Sequence, residues 1–260
     1  ARMIGAEDLS GVYVKADSES AIVMLTDNAI YVEDHTASIR FNKAITDISE
    51  WVETLRRIEP WKVKIYGKAK NGFKLQLSFP CELDISRLDL SEMTDFSMLY
   101  ASCEIESVDF SGNNFNHVRS MRGMFCESKI KQINMENVQA ENVESIREMF
   151  SAVKAESINM RNVNLKSAND ATFMFVDARA SEVNMQGANF KNLGTTQHMF
   201  GNCSIDSIDM GDTILGEYIV SGRKLDCMFS NCRAKYVNIS GLTLVTNDSS
   251  RSMFNGCDID

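Results

Sequence analysis

The chain has 260 residues, 44% hydrophobic and 24% charged, with 14 glycines and 2 prolines. This composition supplies a core and excludes low-complexity disorder and long flexible linkers. The net charge of -9 argues against direct nucleic-acid binding; it fits a basic protein partner, and equally fits a merely well-hydrated surface.

No segment reaches the 18 or so apolar residues that span a bilayer, and the longest aliphatic run, 21–25, is strand-sized. The first residues lack a basic region followed by an apolar stretch, and Met3 reads as the natural start. The expectation is a cytoplasmic protein, or a cell-surface one if a signal sequence has been removed.

In chain order, residues 11–14, 21–25 and 29–32 read as strands, the last two joined by Thr26-Asp27-Asn28, and 38–41 reads as a fourth. Residues 45–58 read as a helix, with Ile48, Val52, Leu55 and Ile58 on one face, Asp47 near its start and Glu59-Pro60 at its end. Strands at 63–66 and 73–79 follow, around Lys70-Asn71-Gly72. Residues 1–82 therefore form a small α+β N-terminal cap domain, whose last strands add to the sheet that follows.

Residues 83–260 are repetitive. The segments Leu83-Asp84-Ile85, Val108-Asp109-Phe110, Ile133-Asn134-Met135, Ile158-Asn159-Met160, Val183-Asn184-Met185, Ile208-Asp209-Met210 and Val237-Asn238-Ile239 begin 25 residues apart, with 29 before the last. A second column is Leu90, Phe115, Ala140, Leu165, Phe190, Leu215 and Leu244. A third is an apolar-aromatic pair from Leu99-Tyr100 and Met124-Phe125 to Met253-Phe254. Each unit has a short strand with one buried face, then a polar turn. Next come apolar residues at i, i+3, i+6 and i+7, as in Val118, Met121, Met124 and Phe125, which read as a helical or 3₁₀ turn. No single unit buries both faces, so the units stack as an α/β repeat: a leucine-rich-repeat-like solenoid with a parallel sheet. The extra four residues predict a longer loop near 216–222.

Three residues past each aromatic lies a column of Cys103, Ser128, Val153, Ala178, Cys203, Cys232 and Cys257. It reads as a small buried position holding free thiols, in keeping with a reducing compartment. Met-Phe repetition is what a core requires, so no cofactor is expected. No Cys/His spacing points to zinc, and Asp84, Asp109 and Asp209 lack EF-hand spacing, so no metal is expected. His35, His117 and His198 share no motif and read as surface residues. With no nucleophile or phosphate loop, catalysis is not expected.

The copies Met199-Phe200-Gly201-Asn202-Cys203, Met228-Phe229-Ser230-Asn231-Cys232 and Met253-Phe254-Asn255-Gly256-Cys257 carry a resemblance. The repeat resembles the BspA-like class of bacterial leucine-rich repeats, from Leu83 to Cys257. The resemblance implies the solenoid architecture, and proteins that are often secreted or surface-exposed and engage host or bacterial partners. Ile259 falls in the column of Ile105, Ile130 and Ile205, ahead of a further strand. The last edge is thus bare, truncated or covered by a partner.

Between the buried strand positions lie three outward rows. The central one contains Asp84, Asp109, Asn134, Asn159, Asn184, Asp209 and Asn238. It reads either as an Asn/Asp hydrogen-bonded ladder or as part of a recognition face, and both can hold. One flank includes Glu82, Gln132, Glu182 and Tyr236; the other includes Glu136, Arg161 and Gln186. The flanks are less uniform than a ladder needs and are the expected seat of specificity. The expected function is non-catalytic protein binding by a chain that is monomeric outside its complex. The leading assignment is a cytosolic immunity protein that neutralises a toxin, such as a basic nuclease domain. The alternatives are part of a surface adhesin, or an acidic nucleic-acid mimic.

Overall fold

The computed structural model describes residues 13–17, 20–25, 28–33, 35–41, 45–216, 226–244 and 252–259. The strands β1 (Tyr13–Asp17), β2 (Ser20–Leu25), β3 (Asn28–Glu33) and β4 (Thr36–Phe41) pair antiparallel in chain order. After β5 (Ile45–Asp47) and helix α1 (Ser49–Ile58), strand β6 (Lys62–Lys74) pairs in parallel with both β4 and β5. Two parallel neighbours need a crossover, and α1 supplies it between β4 and β6. Ile48 and Leu55 are fully buried and Val52 partly so, in one core with Ile39, Val63 and Ile65. The side chain of Ile58 lies outside the described residues.

Two local expectations are corrected. Asp47 belongs to β5, and α1 begins after Ile48 with no side-chain cap. Its end is as read: Glu59 turns left-handed at φ 48°, and its N–H returns to the Leu55 carbonyl at 2.9 Å. Residues 63–66 and 73–79 are also not two strands about a turn. β6 runs unbroken through Lys70-Asn71-Gly72 because Asn71 is held by the next coil. Its Oδ1 accepts the N–H groups of Thr94 and Asp95 at 2.8 and 3.1 Å, and its Nδ2 donates to Thr94 Oγ1 at 3.1 Å.

The first repeat strand, β7 (Glu82–Asp89), pairs in parallel with β6, so parallel pairing reaches back across residues 82 and 83. Then come β8 (Glu104–Asp109), β9 (Lys129–Asn134), β10 (Ser157–Asn159), β11 (Arg179–Asn184), β12 (Asn189–Phe190), β13 (Ser204–Asp209), β14 (Ile214–Leu215), β15 (Arg233–Ala234), β16 (Tyr236–Asn238), β17 (Thr243–Leu244) and β18 (Asp258–Ile259). The repeats wind as a parallel β-solenoid with three lines of pairing. One side is the eight-stranded sheet from β8 to β18. A second runs through Asn114, Gln139, Asn164 and Asn189 into β12, β14 and β17; the third runs through Asp95, Ser120, Ser145, Asp170 and Thr195.

The apolar i, i+3, i+6, i+7 spacing forms successive turns rather than helix. Leu99, Ala101 and Cys103 return their N–H groups three residues back, to Phe96, Met98 and Tyr100, and the turns between coils bond onward. The obstacle to a helix is a left-handed residue in each coil: Met98, Gly123, Glu148, Phe173, His198, Cys227 and Ser252 all have φ between 50° and 61°. A second such row, including Glu127, Ala152, Asp177 and Asn202, follows four residues later. A helix tolerates neither. Met98, Gly123, Glu148 and Phe173 instead donate their N–H groups to the coil ahead, Glu148 to Thr172 O at 3.1 Å, and so do Glu127, Ala152, Asp177 and Asn202. The predicted loop near 216–222 falls, beyond Gly216, outside the described residues.

In-register coils stack like side chains on like. Phe125, Phe150, Phe175, Phe200, Phe229 and Phe254 form a column with centroids 4.8 to 5.2 Å apart and planes within 7°. That step is the spacing of neighbouring strands, about 4.8 Å. Each stacked pair contributes about 1 kcal/mol beyond burial. The small column behaves as read except at its last member, Cys257, which is half-buried. All seven cysteines are free, and Cys103, Cys203 and Cys232 are buried. Burial raises the Cys103 thiol to about 11.

Candidate binding face

The outer rows of the eight-stranded sheet are brought into register by its pairing. Gln132, Ser157, Glu182, Ser207 and Tyr236 stand opposite one another, as do Asn134, Asn159, Asn184, Asp209 and Asn238. Asp109 joins the second row through Asn134. Glu82 and Asp84 are not brought onto this ladder. They lie on β7 opposite Lys62 and Lys64, and Glu82 is ion-paired with Lys62.

The central row serves the backbone. In every coil the Asn or Asp Oδ1 accepts the N–H two residues on: Asp84 from Ser86 (3.0 Å), Asp109 from Ser111 (2.9 Å), Asn134 from Glu136 (3.1 Å) and Asn159 from Arg161 (3.1 Å). The row continues with Asn184 from Gln186 (3.0 Å), Asp209 from Gly211 (2.9 Å) and Asn238 from Ser240 (3.0 Å). These are Asx turns that close one corner of each coil. Cross-coil bonds tie the row together, with Asn159 Nδ2 donating to Asn134 Oδ1 at 3.2 Å and Asn238 Nδ2 to Asp209 Oδ1 at 2.9 Å. The Ser86 hydroxyl and N–H hold the Asp84 carboxyl below the usual carboxylate value.

The flanking rows are freer. Gln132, Arg161, Glu182 and Tyr236 are exposed, Tyr236 at 55%. Arg161 reaches only a long 3.9 Å contact with Glu136, and Gln186 is half-buried. Along the edge of the same sheet, Lys129 pairs with Glu104 and Lys131 with Glu106, both at 2.6 Å, and Lys235 with Asp206 at 3.1 Å. Exposed pairs of this kind add little stability, at most about 1 kcal/mol each, but opposite charges favour the in-register stack.

The sequence reading assigned no role to Trp61, which is 73% exposed and stacks on His35 at 4.4 Å. The alternation Trp61-x-Val63-x-Ile65 reads Trp61 as buried, but β6 begins at Lys62, after it. Arg40 lies over the Tyr66 ring at 4.5 Å on the neighbouring sheet. The other two histidines are half-buried: His117 Nε2 is 3.2 Å from Leu90 O, and His198 Nδ1 is 2.8 Å from Ser230 Oγ. Among the described residues no cluster of three or more metal-ligating side chains occurs, and no helix is long and apolar enough to cross a membrane.

This repeated coil matches the family model described as "Mycoplasma protein of unknown function, DUF285", over residues 39–162 and again over 104–211. The chain belongs to the DUF285 family. The BspA-like expectation is met in part: the match is to DUF285, a Mycoplasma repeat family related to BspA-like surface repeat proteins, and not to a BspA leucine-rich-repeat family itself. No curated protein and no solved structure matches the chain. The DUF285 match begins at β4, so it takes in α1 and β6 as well as the stacked coils.

Proposed function

We propose that the chain is a non-catalytic module that binds a protein partner across the outer face of the eight-stranded sheet. One observation carries the reading. The central row is engaged in turn formation in every coil, whereas the exposed flanking residues Gln132, Arg161, Glu182 and Tyr236 differ from coil to coil and have no such duty. Uniform rows build a fold; varied exposed rows discriminate between partners. Tyr and Arg are also residue types on which interface energy concentrates. Seven coils at about 4.8 Å give a face roughly 30 Å long and about 20 Å across. That is about 600 Å², near the low end of specific interfaces, and it fits a partner that comes and goes.

Two partner classes have support. The net charge of -9 favours a basic protein, such as the toxin domain of an immunity pair. The family's relation to surface repeat proteins favours an adhesin-like role. The test uses the full chain as bait, beside a variant with Arg161, Glu182 and Tyr236 changed to Ala. The baits are offered separately to cell lysate and to intact cells. A basic intracellular protein held by the chain and released by the triple variant supports neutralisation. Cell-surface binding with the same dependence supports the adhesin. Partners retained equally by both baits contradict the face assignment.

A further inference from the structure

The small column interrupts its sulfurs with Ser128, Val153 and Ala178, then places three cysteines in consecutive coils, Cys203, Cys232 and Cys257. Cys203 and Cys232 are buried, and the Cys203 S–H points at Cys232 Sγ across 3.0 Å. Their neighbours Ser204 and Arg233 are paired in parallel register, and the Arg233 N–H donates to Cys203 O at 2.9 Å. Adjacent strands sit about 4.8 Å apart, inside the range of roughly 4.4–6.8 Å over which disulfides form without backbone movement. The next sulfur, Cys257, is occupied elsewhere, donating to Phe229 O at 2.6 Å.

We propose that Cys203 and Cys232 are a modification site: they close to an intramolecular disulfide by exchange with a small-molecule disulfide, stapling the 29-residue coil to the coil before it. The hydrogen bond from Cys203 lowers the Cys232 thiol and raises that of Cys203, and Cys232 is the sulfur that the last described coil covers directly, so it attacks first, its proton passing to solvent and from there to the second expelled thiolate. The Cys232 thiolate attacks one sulfur of the small disulfide, forms a mixed disulfide and expels one thiolate. The Cys203 sulfur, losing its proton to that thiolate, attacks Cys232 Sγ and expels the second. Two protein thiols are oxidised, one small disulfide is reduced to two thiols, and atoms and electrons balance.

The route to this buried pair runs through the last described coil. The bonds that hold that coil over the Cys232 strand include Phe229 N to Met253 O, Asn231 N to Asn255 O, and Asp258 N to Cys232 O, at 2.8, 2.8 and 2.9 Å, beside the β15–β18 pairing. Phe254 and Ile259 there are 45% and 40% exposed, so this coil carries less buried surface than an interior one and opens more readily, uncovering Phe229, Met228 and the Cys232 sulfur beneath it.

The test is incubation of the native full chain with oxidised glutathione, followed by trapping of free thiols and peptide mass mapping. The expected product is a Cys203–Cys232 cross-linked peptide, lighter than its reduced form by two hydrogen atoms. It should be absent in Cys203→Ala, a residue the column already accepts at Ala178, and retained when the more accessible Cys126 and Cys227 are changed to Ser. Its rate should rise several-fold in mild urea, below the unfolding transition. Recovery of Cys203 and Cys232 as free thiols after Cys126 and Cys227 have reacted overturns the proposal. So does cross-linking only in the fully unfolded chain.

Discussion

Phe175 and Phe254 belong to the same column but occupy different surroundings. Phe175 is fully buried between Phe150 at 4.9 Å and Phe200 at 4.8 Å. Phe254 stacks on Phe229 at 5.2 Å and is 45% exposed. Ile239, Tyr236 and Ile259 in the last coils are exposed as well, whereas in the N-terminal domain Ile48 just before α1, Leu55 within it, and Ile39 and Ile65 of the sheet share one core at zero exposure. Identical repeat chemistry thus contributes differently along the axis, because a coil's stability comes mainly from its neighbours. The interior coils specify the fold, and the terminal ones are free to open.

The sharpest way to break this comparison is to truncate both rings. Phe175→Ala should cost about 3–5 kcal/mol in urea unfolding, and Phe254→Ala less than about 1 kcal/mol. Equal losses would show that position along the axis does not matter. Ser128 probes the small column from the opposite side. Its Oγ is buried with no hydrogen-bond partner, so Ser128→Ala should stabilise the chain by about 1–2 kcal/mol. A loss of stability would mean that the hydroxyl has a partner in solution.

A smaller effect separates the ladder from the flanks. Asn159→Ala should cost about 1 kcal/mol, because the Arg161 N–H loses its acceptor. Arg161→Ala should leave stability within about 0.5 kcal/mol while weakening partner binding. The smallest effect concerns pH. The folded Asp84 carboxyl titrates below its unfolded value. Its contribution is therefore complete above the unfolded value of about 3.9 and is lost as pH falls through the folded one. Asp84→Asn, an exchange the row already makes elsewhere, should remove that part of the acid dependence. Acid-unfolding curves of the two proteins that superimpose would contradict this assignment.

Much of the architecture was legible because a repeat displays each constraint seven times. The Val/Ile and Met/Phe columns gave the inward positions, and the period gave the parallel register later seen between Ile158 and Val183. The turns were not legible, because apolar residues at i, i+3, i+6 and i+7 suit both a helix and successive turns. The left-handed corners hold Glu148, Phe173 and His198 as well as Gly123, so no run of glycines announced them. The Asn/Asp row was open to two readings until its oxygens were placed against the N–H groups two residues ahead. Trp61 escaped because its phase with Val63 and Ile65 reads as buried.

The face assignment is tested most directly by a photo-crosslinking amino acid placed singly at Glu182, on the outer sheet, and at Asn142, exposed on another side of the same solenoid. One partner should cross-link from position 182 and be lost when Arg161 and Tyr236 are also changed to Ala, with nothing specific from position 142. The same partner captured from position 142, with none from 182, would contradict the face assignment.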